Sequence, residues 1–389
     1  MEIVIHQNNN LIDFKYFDDG VIIFSFRLYI PNSKLVINDS LITIAYFSRP
    51  FNSDYYNFNL SISEELFSHA QYRFKANLKS FNISSSETAI KPYLIKNTPK
   101  LYLAFSGGFD SLAVYILIND ICEKIISIDY GGNFNREYEY FSRFNVDIFR
   151  SNIRESYVST KVIEEKKRFN ENLSWEFMFS PLLSYKEIAT DMAIVGGTIM
   201  EASPFWFGGE GMKKSFDFYS SVFMPGVAYI CPLACLTEYG TTKIVVQSLS
   251  QSEVNLALDS LAAKNSFKRY RKQVLIDLVS GINPIDRPYA IKKYKFGGSF
   301  ADDAVALYVI FKCGKKWALD NYLENIPPNS ELINMSFFEK INSNILNGIA
   351  PDLRETILSR LQKFSMNEYE PSDYINLESA RNYIINFKK

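Results

Sequence analysis

The sequence predicts an α/β protein built on a doubly wound parallel sheet, with a β-rich segment before it and a helical region after it. Two observations support this prediction. Short β-branched and aromatic runs, separated by Asn, Asp, Gly and Pro turns, fill residues 1–50 and are typical of antiparallel strands. From residue 100 onward, apolar strands alternate with helical segments, which predicts βαβ units and a parallel sheet covered on both faces.

The N-terminal segment is expected to form an antiparallel meander or a small barrel, followed by one helix. The predicted strands are the runs EIVIH, LIDFKYF, VIIFSFRLYI, KLVIN and LITIAYF. Residues 63–79 fit an amphipathic helix, for which Ser63 is a suitable N-cap.

The rest of the chain is expected to contain an α/β region and then helices. Strands are predicted over 100–105, 124–131, 146–153, 191–198 and 243–247, and helices over 112–122, 136–144, 252–264, 301–323, 330–346, 351–365 and 375–387. We therefore predict three parts, which are a β-rich domain over 1–95, an α/β domain over 96–290 and a helical region over 291–389.

Composition restricts the class of protein. The net charge is −1 and the pI is about 6.3, which is unlike the basic footprint of a dedicated nucleic-acid binder. Four cysteines in 389 residues do not make a disulfide framework, and two histidines make a His-rich metal site improbable. The start of the chain lacks the pattern of a secretory signal, and no apolar run is long enough to span a bilayer. We expect a cytoplasmic protein with no membrane partner.

The segment that points to chemistry is the hexapeptide SGGFDS (residues 106–111), which lies between an apolar strand and a helix. Two successive glycines let the backbone approach a phosphate without an intervening Cβ. The helix that follows offers unpaired N–H groups and the positive end of its dipole. Ser106 and Ser111 add hydroxyl donors, and Asp110 would act through Mg²⁺ because a carboxylate repels a bare phosphate. The alternative is a glycine-rich turn capped by serine and aspartate.

The hexapeptide resembles the SGGxDS signature of the PP-loop ATP pyrophosphatases, and its spacing fits neither Walker A nor GxGxxG. The resemblance implies a HUP-like core that binds ATP and Mg²⁺ and cleaves ATP to AMP and pyrophosphate. It also implies specific roles for the residues of the hexapeptide: Ser106, Gly107, Gly108 and Ser111 would hold the pyrophosphate, and Asp110 would hold Mg²⁺.

Three further segments extend the resemblance over roughly residues 98–285. In PP-loop enzymes the second strand ends beside the adenine and ribose, and here that end is Asp129-Tyr130-Gly131-Gly132. The fourth strand ends in Val195-Gly196-Gly197-Thr198, and such a loop usually closes the nucleotide pocket. The stretch 232–245 is similar to the PL…K…I segment of the 7-cyano-7-deazaguanine synthase branch, whose lysine lies near the phosphates. Lys243 would then stabilise charge on the leaving pyrophosphate, the alternative being an ordinary lysine at a strand start.

One departure from that branch concerns zinc. The deazaguanine synthases carry a four-cysteine zinc site after the PL…K segment, whereas residues 265–273 here contain no cysteine. Cys231 and Cys235 supply at most two of the four ligands that a structural site needs, so we predict no zinc and do not carry over the substrate. The two cysteines are expected either to pack in the core or to form a reactive pair for tRNA thiolation.

Other polar segments allow two interpretations each. The basic run 268–272 either holds an anionic ligand or forms a solvated helix face. The glycine-rich stretch 207–214 resembles a glycine–acid loop of the asparagine synthetases and is either a mobile flap or a plain surface loop. Glu201 could contact substrate or Mg²⁺.

Two functions from different classes are open at this point. In the first, the protein is an enzyme that adenylates a substrate for ligation, amidation or a related transfer, with Asp110, Ser111 and Lys243 as catalytic residues. In the second, it is a catalytically silent nucleotide-binding subunit of a multi-protein bacterial system for nucleic-acid modification or phage defence. A protein partner would then bind through residues 1–95 or 300–389.

Overall fold

The computed structural model describes most of the chain. The described residues are 1–31, 35–80, 95, 98–131, 135–159, 179–188, 190–197, 223–282 and 292–387. None of the helices in these ranges combines the length and hydrophobicity that a bilayer-crossing segment needs.

The chain divides into two compact units. The sheet unit comprises Met1–Ser106, Asp120–Val195 and Asp217–Ile230, and the helical unit comprises Gly107–Asn119, Gly196–Phe216 and Cys231–Lys389. Both units draw segments from more than one of the three predicted parts, whose boundaries near 95 and 290 stay predictions.

A mostly parallel sheet organises the sheet unit. The strands are β1 (Glu2–Asn8), β2 (Leu11–Asp18), β3 (Val21–Tyr29), β4 (Tyr56–Phe58), β5 (Leu78–Ser80), β6 (Lys100–Ala104), β7 (Lys124–Asp129), β8 (Asp147–Ser151), β9 (Met192–Val195) and β10 (Val227–Ile230). Among the described residues their order is β10-β9-β6-β7-β8-β3-β2-β1-β4-β5. Strands β10 to β8 run parallel, β8 to β1 are joined by antiparallel pairs, and β1, β4 and β5 are again parallel. The α/β class is therefore confirmed.

The helices of the described residues, numbered in chain order, belong to both units. They are α1 (Asn38–Phe47), α2 (Glu64–His69), α3 (Phe109–Ile118), α4 (Asn135–Phe141), α5 (Ile153–Ser159), α6 (Glu238–Ser248), α7 (Gln251–Leu261), α8 (Phe267–Val279), α9 (Phe300–Cys313), α10 (Lys315–Asn321), α11 (Pro351–Gln362) and α12 (Pro371–Phe387). Helices α1, α2, α4 and α5 lie in the sheet unit, and the others lie in the helical unit.

Alternating burial explains the N-terminal meander of β1, β2 and β3, the three of the five predicted strands that are confirmed. In β2 every second side chain from Ile12 to Tyr16 is fully buried, and the same period continues in β3. The rings of Phe14 and Phe26 face each other across the strand pair and stack with centroids 4.5 Å apart. Strand β9 is different, because all four of its residues are buried, as expected for a parallel strand inside a sheet.

Three predicted strands are wrong. In the run KLVIN, residues 35–37 belong to no strand and Asn38 begins α1. The run LITIAYF belongs to α1, in which all eight residues from 40 to 47 are buried, so its apolar pattern carries no period that separates helix from strand. Residues 243–247, rich in β-branched side chains, lie inside α6, where packing overrides local propensity. Sequence analysis also missed β4, β5 and β10, and β5 overlaps the predicted helix 63–79, whose helical part ends at Phe74.

Several helix boundaries differ from the predictions in the helical unit. The predicted helix 301–323 is two helices, α9 and α10, which are separated by Gly314 at φ +84°. The predicted helix 330–346 is a series of short 3₁₀ turns. Helix α9 forms the centre of this unit, since every residue from 303 to 310 is buried and Tyr308 stacks on Phe338 with centroids 4.8 Å apart.

Candidate functional site

The SGGFDS turn (residues 106–111) follows strand β6 and leads into α3. Gly107 has φ +76°, a conformation that suits glycine and turns the chain after the exposed Ser106. Gly108 is the N-cap of α3 and offers no capping side chain. The helix therefore begins with backbone N–H groups that have no intrahelical partner, and these are donors that suit an anion.

Gly197 lies directly against this turn. A Cβ atom at Gly197 would stand 2.4 Å from the carbonyl carbon of Asp110, 2.5 Å from its oxygen and 2.6 Å from the nitrogen of Ser111. The structure thus brings the glycine loop after β9 to the first turn of α3, within the helical unit. Its neighbour Gly196 is buried. Thr198, Glu201 and residues 207–214 lie outside the described residues.

Asp110 and Ser111 have different surroundings. Ser111 is buried, and its hydroxyl donates to the carbonyl oxygen of Gly108 at 3.0 Å. Asp110 is partly exposed, but its Oδ1 is buried and has no hydrogen-bond partner among the described residues. Burial raises the pKa of the Asp110 carboxyl from 3.8 to about 6, which the charge of Lys272 and a hydrogen bond from Thr241 partly oppose.

Charged side chains of α6 and α8 act on Asp110, and Asp302 of α9 is linked to them through Arg271. Together with Asp110 they form a charge cluster, which we define as Asp110 (α3), Glu238 (α6), Arg271 and Lys272 (α8) and Asp302 (α9). The Nζ of Lys272 lies 2.5 Å from Oε1 of Glu238. Arg271 pairs with Asp302 and lies 3.4 Å from Oε2 of Glu238.

Lys243 is placed differently from the sequence expectation. It lies inside α6, five residues after Glu238, so the two side chains leave the helix in directions about 140° apart. Its Nζ donates to the backbone carbonyl of Ser365 at 3.1 Å. A role at the phosphates stays a prediction for Lys243.

Asp129 ends strand β7 in the sheet unit, and Tyr130 follows it. The Oδ1 of Asp129 accepts the N–H of Gly131, which has φ +68°, at 2.9 Å. Tyr130 is buried, its pKa is raised by burial, and the guanidinium carbon of Arg154 lies 5.2 Å from its ring centroid. The ring of Tyr130 is thus packed against the guanidinium group of Arg154. Gly132 lies outside the described residues.

The cysteines show no sign of a reactive pair. Cys231 and Cys235 are both buried, and the Sγ of Cys235 lies 3.6 Å from the carbonyl oxygen of Pro232. Burial raises the pKa of the Cys235 thiol, and the neighbouring Cys231 raises it further, so the nucleophilic thiolate is disfavoured. Within the described ranges, no group of three or more His, Cys, Asp and Glu side chains could hold a metal ion.

Comparison with known proteins finds no family model that matches this chain and no characterised protein that matches its sequence.

Within the basic run 268–272, the candidate functional residue is Lys272. Sequence analysis did not predict that its environment differs from that of its neighbours. Lys268 is exposed, as a solvated helix face requires, whereas Lys272, one turn later, is buried. The spacing of four residues puts both on one side of an ideal helix, so the difference comes from what packs against α8. Sequence analysis also did not identify Glu238 as a candidate, because a single acidic residue after a threonine is typical of an ordinary helix N-terminus.

Replacing Gly197 by alanine should disrupt the first turn of α3. The methyl group would collide with backbone atoms, which cannot move aside as a flexible side chain can, so we expect a loss of about 3 kcal/mol in unfolding free energy. Chemical denaturation measures this loss of unfolding free energy. Gly281→Ala is the matched control, because Gly281 has φ +68° but no atom near its missing Cβ, and should cost only about 1 kcal/mol. Equal losses in the two variants would contradict the close approach.

Replacing Asp110 by asparagine should stabilise the metal-free protein in a pH-dependent way. The pKa of Asp110 is raised, so its protonated form favours the fold, and that stability is full below about pH 3.8 and lost as the pH rises through 6. Asparagine is never charged, so the variant should match wild type near pH 4 and exceed it by about 2 kcal/mol at pH 8.

Denaturation in EDTA across this pH range tests the expectation. Asp352→Asn is the control, since Asp352 is an exposed aspartate in the first turn of α11. A difference between Asp110→Asn and wild type that stays constant with pH would contradict the burial of this carboxylate.

Proposed function

We propose that the SGGFDS turn binds ATP and that the protein transfers AMP from ATP to an acyl substrate, with release of pyrophosphate. The observation that carries the proposal is the turn itself. A strand, a glycine at positive φ, a glycine N-cap and a helix whose second residue is a partly buried aspartate follow one another within a few positions. The proposal specifies the α/β fold further as a doubly wound core of the PP-loop type.

Backbone groups would make most of the contacts to the phosphates. The N-terminal turn of α3 presents N–H donors and the positive end of the helix dipole, and neither Gly107 nor Gly108 carries a side chain that would obstruct them. Ser106 is exposed and adds a hydroxyl donor. Ser111 already donates to the carbonyl of Gly108, so we assign it to holding the turn rather than to donating to a phosphate.

Asp110 fits the role of a ligand to Mg²⁺. Its Oδ1 is buried and lacks a partner among the described residues, and carboxylate oxygen is a preferred ligand of this ion. Since one carboxylate does not complete a coordination shell, phosphate oxygens and water would supply the other ligands. Mg²⁺ would neutralise charge that develops on the phosphate oxygens. Asp110 would orient the ion, and the glycine contact at Gly197 would keep Asp110 in place.

The reaction fits a site that works by positioning and charge stabilisation. A substrate oxygen would attack the α-phosphorus, the bond between the α-phosphorus and the bridging oxygen would break, and pyrophosphate would leave. A nitrogen nucleophile would then displace AMP. A cysteine-borne sulfur is disfavoured, because Cys235 is buried and its pKa is raised. Lys243 could stabilise the charge on the leaving pyrophosphate only if its Nζ exchanged the carbonyl oxygen of Ser365 for a phosphate oxygen.

Product analysis tests the proposal. The protein is incubated with Mg²⁺, α-labelled ATP and a metabolite extract, and we expect AMP and pyrophosphate from wild type and at least a ~100-fold lower rate from Asp110→Asn. Asp352→Asn, which alters an exposed aspartate at the start of another helix, should leave the rate unchanged.

The other outcomes are equally informative. Formation of ADP would contradict cleavage between the α- and β-phosphates. Binding of ATP without any product would favour the nucleotide-binding subunit over the enzyme, and a partner protein should then be sought. If wild type does not bind ATP at all, the proposed function is wrong.

A further inference from the structure

Positive charge is concentrated in one segment of the chain. Residues 264–295 contain nine lysine and arginine residues against two aspartates, whereas the whole chain has a net charge of −1. The segment includes α8 and the residues just before α9, and both belong to the helical unit. A local excess of charge in a nearly neutral protein indicates a surface for a partner of the opposite charge.

A contact between two aromatic rings joins the two ends of this segment. Phe267, the first residue of α8, stacks on Tyr294 with ring centroids 5.6 Å apart and planes inclined by 16°. Tyr294 forms a single parallel bridge to Leu323, so the chain is extended there, and residues 293 and 295 point away from the side on which Tyr294 packs. The stacked rings therefore bring together the lysines that flank them in sequence.

The lysines that flank the two rings form a basic surface, which consists of Lys264, Lys268, Lys292, Lys293 and Lys295. All except Lys293 are exposed, and these four have no ion-pair partner among the described residues. The Nζ of Lys293 donates to the carbonyl oxygen of Leu319 at 2.8 Å, which leaves further N–H donors on its ammonium group. Arg269 is not counted, because it lies 2.6 Å from Oδ1 of Asp259.

Neighbouring carboxylates offset only part of this charge. Asp320 and Glu324 are exposed and border the basic surface, since Asp320 follows the Leu319 carbonyl and the N–H of Glu324 donates to the carbonyl of Tyr294 at 2.8 Å. Two carboxylates against five ammonium groups leave an excess of three positive charges. Like charges that are held together repel one another, and a polyanion relieves that repulsion.

The composition of the basic surface indicates the class of partner. The centre of a protein–protein interface is rich in aromatic and apolar side chains, but none of the described residues 264–281 and 292–300 is a large apolar side chain that is exposed. Nucleic-acid interfaces are polar and strongly positive, and lysine contacts phosphates as a point charge without reading bases.

We propose that the basic surface binds the phosphate backbone of a nucleic acid independently of its base sequence. The basic surface shares no residue with the SGGFDS turn. The inference therefore goes beyond the proposed function and does not depend on it.

Fluorescence anisotropy tests this binding in the absence of ATP and Mg²⁺. The probes are a labelled DNA duplex of about 20 base pairs and a labelled RNA strand of about 20 nucleotides, each titrated at salt concentrations from about 50 to 200 mM. The test variant is Lys268→Gln/Lys292→Gln/Lys295→Gln. The matched control is Lys79→Gln/Lys100→Gln/Lys363→Gln, which removes three exposed lysines elsewhere and gives the same net charge. Circular dichroism checks that both variants are folded.

We expect wild type to bind at least one probe with a Kd that rises with salt. The test variant should bind roughly tenfold or more weakly at about 50 mM salt, and its slope of log Kd against log salt should be shallower by about two to three, since each phosphate contact contributes roughly one. The control should stay within about twofold of wild type, because its lysines lie outside the basic surface.

Three results would overturn the proposal. The first is that neither probe binds wild type at about 50 mM salt. The second is equal weakening in the test variant and the control, which would show that only net charge matters. The third is competition by polyglutamate as effective as that by unlabelled nucleic acid, which would indicate an acidic protein partner instead.

Discussion

The contact between Gly197 and the backbone of Asp110 and Ser111 is the constraint on which the candidate site depends. Two stretches of main chain approach so closely that even a methyl group would overlap with three backbone atoms. Protein interiors do not absorb such an overlap without shifting a whole turn. The position of the first turn of α3, and hence of Asp110, is therefore constrained by main-chain sterics in addition to the hydrogen bond from Ser111 to Gly108.

Charge supplies the second level of organisation around this turn. Helices α6, α8 and α9 each contribute ionised groups to the charge cluster, and the pairs Lys272–Glu238 and Arg271–Asp302 connect them. Buried ion pairs contribute little to stability compared with apolar packing, but they define which groups must lie together. The steric contact thus places the turn, and the ion pairs determine the electrostatic surroundings of its carboxylate.

The sequence predicted the parts of the fold that have local signals. The meander of β1 to β3 and the strands β6 to β9 follow from apolar periods, turn residues and glycines near those positions, whereas α3 begins three residues before the predicted helix 112–122. The strand assignments for α1 and for residues 243–247 failed, because runs that are buried throughout or rich in β-branched residues have no period that distinguishes helix from strand. Lys272 could not be separated from Lys268, because only α6 and α3, distant in sequence, make one buried and leave the other exposed.

The antiparallel pairing of β3 with β8 has a consequence for the order of assembly. The hairpins from β1 to β3 join residues that are close along the chain, whereas Leu101 and Ala193, which pair between β6 and β9, are about 90 positions apart. Local pairs close first because their loops lose less entropy. We therefore expect the meander to form with the edge of β3 open, and the later parallel strands to complete the sheet on that edge.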